Sequence, residues 1–82
     1  MPDNDRSRRL QWLCRRGMKE LDVLLERFLR DEATALGQGA WPGFEEMLRE
    51  EDDVLWDWLM NPALPAAERY RKLLERIRER SA

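Results

Sequence analysis

Residues 18–33 of this 82-residue chain read MKELDVLLERFLRDEA, and this stretch decides the fold. Its apolar side chains recur every three or four residues, the spacing that places them on one face of an α-helix. The apolar set is Met18, Leu21, Leu24, Leu25, Phe28 and Leu29. Because a helix with one apolar face must bury that face, the stretch predicts a helix packed against a core that the rest of the chain supplies.

Similar spacing predicts four more short helices. The first covers residues 6–16 and stops at Gly17, and the next runs for two to three turns from about residue 44. Another follows Asp52 or Asp53, either of which is placed to cap it, and the last covers residues 65–79. Their inward-facing residues are Leu10, Leu13, Cys14, Gly17, Phe44, Met47, Leu48, Val54, Leu55, Trp58, Leu59, Tyr70, Leu73, Leu74 and Ile77. Residues 34–43 hold three glycines and a proline, so they are predicted to form a loop from which Trp41 folds back onto the core.

Residues that favour sheets are scarce. Only four are β-branched, namely Val23, Thr34, Val54 and Ile77, whereas a sheet protein uses many because branched side chains pack well on a pleated surface. The length is about half that of a typical domain. The predicted fold class is therefore all-α: a compact bundle of about five short helices in one domain, residues 1–82, with residues 1–5 and 80–82 disordered.

Histidine is absent and cysteine occurs once, at Cys14. Without histidine there is no Ser-His-Asp or Cys-His arrangement and no Cys/His zinc site, so we expect a protein that is not an enzyme. Cys14 shares an apolar helix face with Leu10 and Leu13, which favours a buried, inert thiol over a reactive one. The acidic run of residues 50–53 lacks the spacing and the glycine of a calcium loop, so no metal site is predicted. A single thiol fits a reducing compartment, and we expect a cytoplasmic protein.

The charges are segregated along the chain. Residues 1–20 and 61–82 each carry a net charge of +3, whereas residues 41–60 carry −6 and the whole chain −2. This distribution suits a protein partner better than a nucleic acid, which usually requires one continuous basic face. No apolar run reaches the length of a membrane span, and the acidic, apolar-poor N-terminus is unlike a signal or transit peptide.

One segment, residues 15–22, concentrates unusual chemistry where the first helix stops and the second begins. Gly17 has no Cβ and lets another molecule approach the backbone closely, while Arg16 and Glu20 would flank it as a donor and an acceptor. The same residues would also serve as ordinary helix termini. Gly17 would cap the C-terminus of the first helix, where arginines favour the helix dipole, and Glu20 would favour the dipole at the N-terminus of the second helix. The residues alone leave both interpretations open.

Residues 16–20, Arg-Gly-Met-Lys-Glu, resemble the R-G-x-x-E signature of the FAD assembly factors of succinate dehydrogenase, the SdhE-like flavinylation factors. The flanking residues Trp12, Cys14, Arg15, Leu21 and Asp22 are similar to that family as well. A second similar block holds Leu48, Asp52, Leu55, Trp58, Leu59, Met60 and Asn61. The resemblance spans roughly residues 8–78, with the two blocks in the family's order.

The resemblance implies a chain that binds the flavoprotein subunit of succinate dehydrogenase, or of fumarate reductase, and promotes its covalent attachment of FAD. It implies that Arg16, Gly17 and Glu20 engage this partner, and helical spacing adds Arg9, Trp12 and Met18 as neighbours. FAD and the acceptor histidine would belong to the partner, so this chain would bind no cofactor tightly. We expect a monomer that binds neither nucleic acid nor membrane.

A different class of protein remains as the alternative. It is a helical regulator, antitoxin-like or anti-sigma-like, that covers a protein surface with the acidic residues 45–57.

Trp56 lies off the apolar stripe that contains Trp58, so it marks either a contact surface or a single exposed aromatic of no function.

Overall fold

The chain folds into helices joined by short turns, and no strand occurs in residues 4–79, the part that the computed structural model describes. The elements are α1 Asn4–Leu13, α2 Lys19–Asp31, α3 Ala33–Gly37, α4 Phe44–Met47, α5 Asp52–Met60, a 3-10 helix Pro65–Tyr70, and α6 Arg71–Arg78. The predicted all-α fold is confirmed.

The core forms around α2, which packs against α1, α3 and α6. Its residues Leu21, Leu25 and Phe28 are buried, and the other members of its apolar stripe are partly buried against the same core. The Phe28 ring meets the ring of Phe44 edge-on at 4.9 Å between centroids, and that of Trp41 at 6.0 Å. Trp41 therefore folds back onto the core, as its position in the loop predicts.

The first helix begins and ends earlier than predicted. Asn4 and Asp5, which the prediction placed in a disordered N-terminus, lie in the first turn of α1. The other residues predicted to be disordered, 1–3 and 80–82, lie outside the described part of the chain. α1 ends at Leu13, whose carbonyl oxygen accepts a hydrogen bond from Arg16 Nη1 at 2.9 Å. The predicted apolar stripe thus loses Gly17, which is exposed in the turn that follows.

The first half of the predicted loop, residues 34–43, is helical. α3 buries Leu36, and its glycine stands at the end of the helix. Three glycines and a proline within ten residues favoured a loop, but they follow the short Ala-Thr-Ala-Leu run instead of interrupting it. The loop prediction is wrong over residues 34–37.

The third predicted helix, α4, is a single turn, and the Asp cap predicted for the next helix does not form. The residue before α5 is Glu51, which makes no side-chain capping bond, and Asp52 instead accepts a hydrogen bond from Arg16. The predicted helix over residues 65–79 also begins as a 3-10 helix, a form often seen at helix N-termini.

Candidate functional site

Arg16 is held inside the fold and is only 13% exposed. Its Nε donates to Asp52 Oδ1 at 2.7 Å, its Nη1 to the Leu48 carbonyl at 2.7 Å, and its Nη2 to the Glu50 carbonyl. With the bond to Leu13, the guanidinium group joins the end of α1 to the loop between α4 and α5. Leu48 and Glu50, whose carbonyl oxygens accept these bonds, directly follow the single turn of α4.

The turn between α1 and α2 is fixed by Asp22 from the other side. Asp22 Oδ1 accepts a hydrogen bond from the Arg16 backbone N–H at 2.9 Å, and Oδ2 accepts one from the Gly17 N–H at 3.2 Å. A carboxylate in the first turn of a helix that reaches back to preceding amides resembles a capping box. The backbone at Gly17 is therefore held in one conformation.

Gly17 and Glu20 face solvent at this turn. Gly17 has φ +88°, a conformation that favours glycine, and a Cβ built on it would meet no atom within 4 Å. Glu20 is exposed in the first turn of α2. We call residues 15–22 the corner. Sequence reasoning grouped Arg16 with Gly17 and Glu20, but the structure separates them, because the Arg16 side chain points into the fold.

The three neighbours proposed from spacing have different positions. Trp12 is 74% exposed and shares a shallow depression of about 210 Å³ with Arg15 of the corner. Met18 is half-buried against the core. Arg9 is exposed but turned toward α4, where its Nε lies 2.6 Å from Glu45 Oε2. Trp12 thus adjoins the corner, whereas Arg9 is already paired.

The sequence model of a protein family described as the flavinator of succinate dehydrogenase matches residues 8–81. The chain belongs to this family. Among its relatives, the FAD assembly factor SdhE of Coxiella burnetii is 36% identical over 76 residues, which cover 93% of both chains. The FAD assembly factor SdhE of Legionella pneumophila strain Paris is 41% identical over 66 residues, covering 80% of this chain and 84% of that protein. The protein of the same name from Pectobacterium atrosepticum is 31% identical over 94% of this chain and 88% of its own length.

No solved structure matches this chain. The relatives do not favour the alternative of an antitoxin-like or anti-sigma-like regulator. In this member of the flavinator family, the two sequence blocks that carry the resemblance meet in space. Arg16 comes from the first block, and its partners Leu48 and Asp52 come from the second.

Sequence reasoning missed a second partly buried arginine, Arg6, in this flavinator-family fold. Its guanidinium group donates to the carbonyl oxygens of Leu36, Ala40 and Trp41 and so ties α1 to the turn after α3. Arg6 Nε also lies 3.3 Å from Glu45 Oε1. No sequence signal identifies such a residue, because its acceptors are backbone carbonyls that any residue types could supply.

Glu45 joins Arg9 and Arg6, and the hydrogen bond from Arg9 is the main reason why the pKa of this carboxyl is lowered. We expect Glu45→Gln to reduce the free energy of unfolding by about 1 kcal/mol at pH 7. A lowered pKa stabilises the fold above the ordinary glutamate pKa of 4.5, and this contribution is lost as the pH falls below it. Urea denaturation at pH 7 and at a pH below 4.5 checks this prediction. The difference in free energy of unfolding between Glu45→Gln and wild type should be smaller at the acidic pH, and an equal difference at the two pH values would contradict it.

Cys14 is fully buried, and desolvation raises the pKa of its thiol to about 12. The nearby Arg16 lowers that pKa, but by less than burial raises it. The predicted burial of Cys14 is confirmed. A thiol that stays protonated near neutral pH is a poor nucleophile, which agrees with the expectation of an inert cysteine.

Residues 4–79 contain neither a membrane-spanning helix nor a cluster of metal-binding side chains. No helix there is long and apolar enough to cross a membrane. No group of three or more Cys, Asp or Glu side chains in that range is arranged to hold a metal ion.

Proposed function

We propose that this chain binds the flavoprotein subunit of succinate dehydrogenase, or the homologous subunit of fumarate reductase, and promotes its covalent attachment of FAD. Membership in the flavinator family and similarity to FAD assembly factors support this proposal. The structural observation that carries it is the corner, where an exposed glycine with open space around it stands beside an exposed carboxylate.

The chain acts in this proposal by positioning and not by catalysis. It has no histidine, so the histidine that accepts the flavin belongs to the partner. Binding of the chain favours the partner conformation in which that histidine lies against the flavin, which raises the rate by holding the reacting groups close together. FAD stays in the partner, and this chain acts as a cytoplasmic monomer that binds no nucleic acid.

The residues of the corner divide into two roles. Gly17 allows the partner to approach the backbone, and Glu20 offers it a charged acceptor. Trp12, beside Arg15, adds an exposed aromatic ring of the kind that often anchors an interface. Arg16 is a positioning residue, because its donors are taken up inside the chain and it acts by holding Gly17 and Glu20 in place.

Co-expression with a succinate dehydrogenase flavoprotein tests the proposal. Flavin fluorescence of the denatured flavoprotein in a gel reports covalent FAD, which wild-type chain should increase relative to no chain at all. We expect Glu20→Ala to lower this increase about tenfold, because loss of a charge-assisted hydrogen bond weakens binding by about 1.5 kcal/mol. Glu26→Ala, which removes an exposed carboxylate of the same helix outside the corner, is the matched control.

The outcomes separate the function from the surface. Equal signals with and without wild-type chain would reject the assembly function. A wild-type increase that Glu20→Ala and Glu26→Ala both retain would reject the role of Glu20 and leave the function standing.

A further inference from the structure

One face of α5 is largely exposed in the described part of the chain. Asp53, Trp56, Asp57 and Met60 follow one another at the spacing of a single helix face, opposite the buried residues of the same helix. Met60 is 48% exposed, both aspartates are exposed, and Trp56 is half-buried with its inner side against the core. These four residues, which we call the α5 face, make an apolar ridge flanked by carboxylates.

The α5 face carries charge that nothing in residues 4–79 neutralises. Other acids of the acidic middle have cationic partners: Glu45 pairs with Arg9, Glu46 with Arg69, and Asp52 with Arg16. Asp53 and Asp57 form no ion pair within the described residues. Two carboxylates without a cationic partner in residues 4–79 therefore lie on the same helix face as Trp56 and Met60.

The position of the α5 face relative to the corner is fixed. Arg16 of the corner bonds to Asp52, the first residue of α5, and to the carbonyls of the loop that precedes it. A buried, multiply bonded guanidinium group is a rigid connection. A partner that occupies the corner therefore meets the α5 face at a set distance and angle.

We propose that the α5 face is a second docking surface, and that it receives a basic segment with an apolar side chain from the same flavoprotein that occupies the corner. Charge complementarity selects a basic occupant, because the unpaired carboxylates of Asp53 and Asp57 lie on the same helix face as the apolar ridge. An apolar side chain of the occupant would pack against Met60 and Trp56, and this packing is less directional than the charge pairing. This inference rests on the proposed function and adds to it the chemistry of the surface that the partner presents.

Titration of the purified apo-flavoprotein with the full chain, at ionic strengths of about 0.05 M and 0.3 M, tests the inference. The double variant Asp53→Asn/Asp57→Asn should bind about tenfold more weakly at low salt, and the difference should shrink at high salt. Asparagine retains the oxygen with which residue 53 accepts the Val54 N–H, so the helix start is kept. The matched control Glu68→Gln/Glu75→Gln removes two exposed carboxylates from another surface and should bind as wild type does.

A second variant, Met60→Lys, replaces the more exposed apolar side chain of the ridge with a positive charge and leaves residue 53 unchanged. It should also weaken binding to the flavoprotein. Equal binding by wild type, by the Asp53/Asp57 double variant and by Met60→Lys would overturn the α5 face while leaving the proposed function in place. Equal loss in both double variants would also overturn it, because the effect would then be one of net charge. A wild-type chain that neither binds the flavoprotein nor increases its flavinylation would overturn the proposed function together with this inference.

Discussion

Replacing Gly17 with arginine should weaken flavoprotein binding about 30-fold or more, because a large side chain would stand where the partner approaches the backbone. Gly39 provides a matched control within the same molecule. Both glycines have positive φ, +88° and +95°, and at both a Cβ would meet no atom within 4 Å. Each substitution therefore has a similar backbone cost, of about 1–2 kcal/mol.

Thermal denaturation of Gly17→Arg and Gly39→Arg should show similar losses of stability, and titration with apo-flavoprotein should separate them. We expect Gly39→Arg to bind as wild type does. Two results would contradict the assignment of the corner: wild-type affinity in Gly17→Arg, or an equal loss of affinity in both variants.

The largest effect on stability is expected from Arg16→Ala. The substitution leaves the carbonyl oxygens of Leu13, Leu48 and Glu50 and the carboxylate of Asp52 without their donor. We expect the free energy of unfolding to fall by about 3 kcal/mol, because the lost bonds are charge-assisted and largely buried. For a chain of this size, that is a fall in Tm of roughly 15 °C.

Arg15→Ala is the control for this prediction. Arg15 is the neighbouring residue and has the same charge, but its side chain is exposed and makes no ion pair within the described residues. Its loss should change stability by less than about 0.5 kcal/mol. Arg16→Lys should fall between the two, since an ammonium group cannot reproduce the planar fork of donors. Urea denaturation of the three variants checks the order, and equal stability of Arg16→Ala and Arg15→Ala would contradict the role of Arg16.

The helical fold was predictable because its signals are local. The apolar spacing of α2 identifies its buried residues, and the shortage of β-branched residues excludes a sheet-rich fold. Trp41 was correctly predicted to fold back because a large aromatic in a loop gains most by joining the core. Helix ends were predicted less well, because tertiary contacts contribute to them. The carbonyl oxygen of Leu13, where α1 ends, accepts a hydrogen bond from Arg16, and so does that of Leu48, the residue that follows α4.

The candidate site was predictable as a segment but not as a geometry. The family resemblance selects residues 16–20, and the exposure of Gly17 and Glu20 agrees with a contact surface. An arginine beside a turn has the same appearance in sequence whether it faces a partner or binds backbone carbonyls 32 residues away, as Arg16 does with Leu48. The role of Arg6 could not be predicted from the sequence for the same reason. The distinction needs the tertiary positions of backbone oxygens, which carry no residue-type signal.

A time course with purified components measures whether this chain speeds covalent flavin attachment through the corner. Apo-flavoprotein and FAD would be incubated alone, with wild-type chain, with Gly17→Arg and with Gly39→Arg, and covalent flavin would be read by fluorescence after denaturing electrophoresis. We expect wild type and Gly39→Arg to raise the rate of flavinylation above that of flavoprotein and FAD alone. The rate with Gly17→Arg should be close to the rate without any chain. A rate with wild type no higher than without the chain, or full acceleration by Gly17→Arg, would contradict this role of the corner.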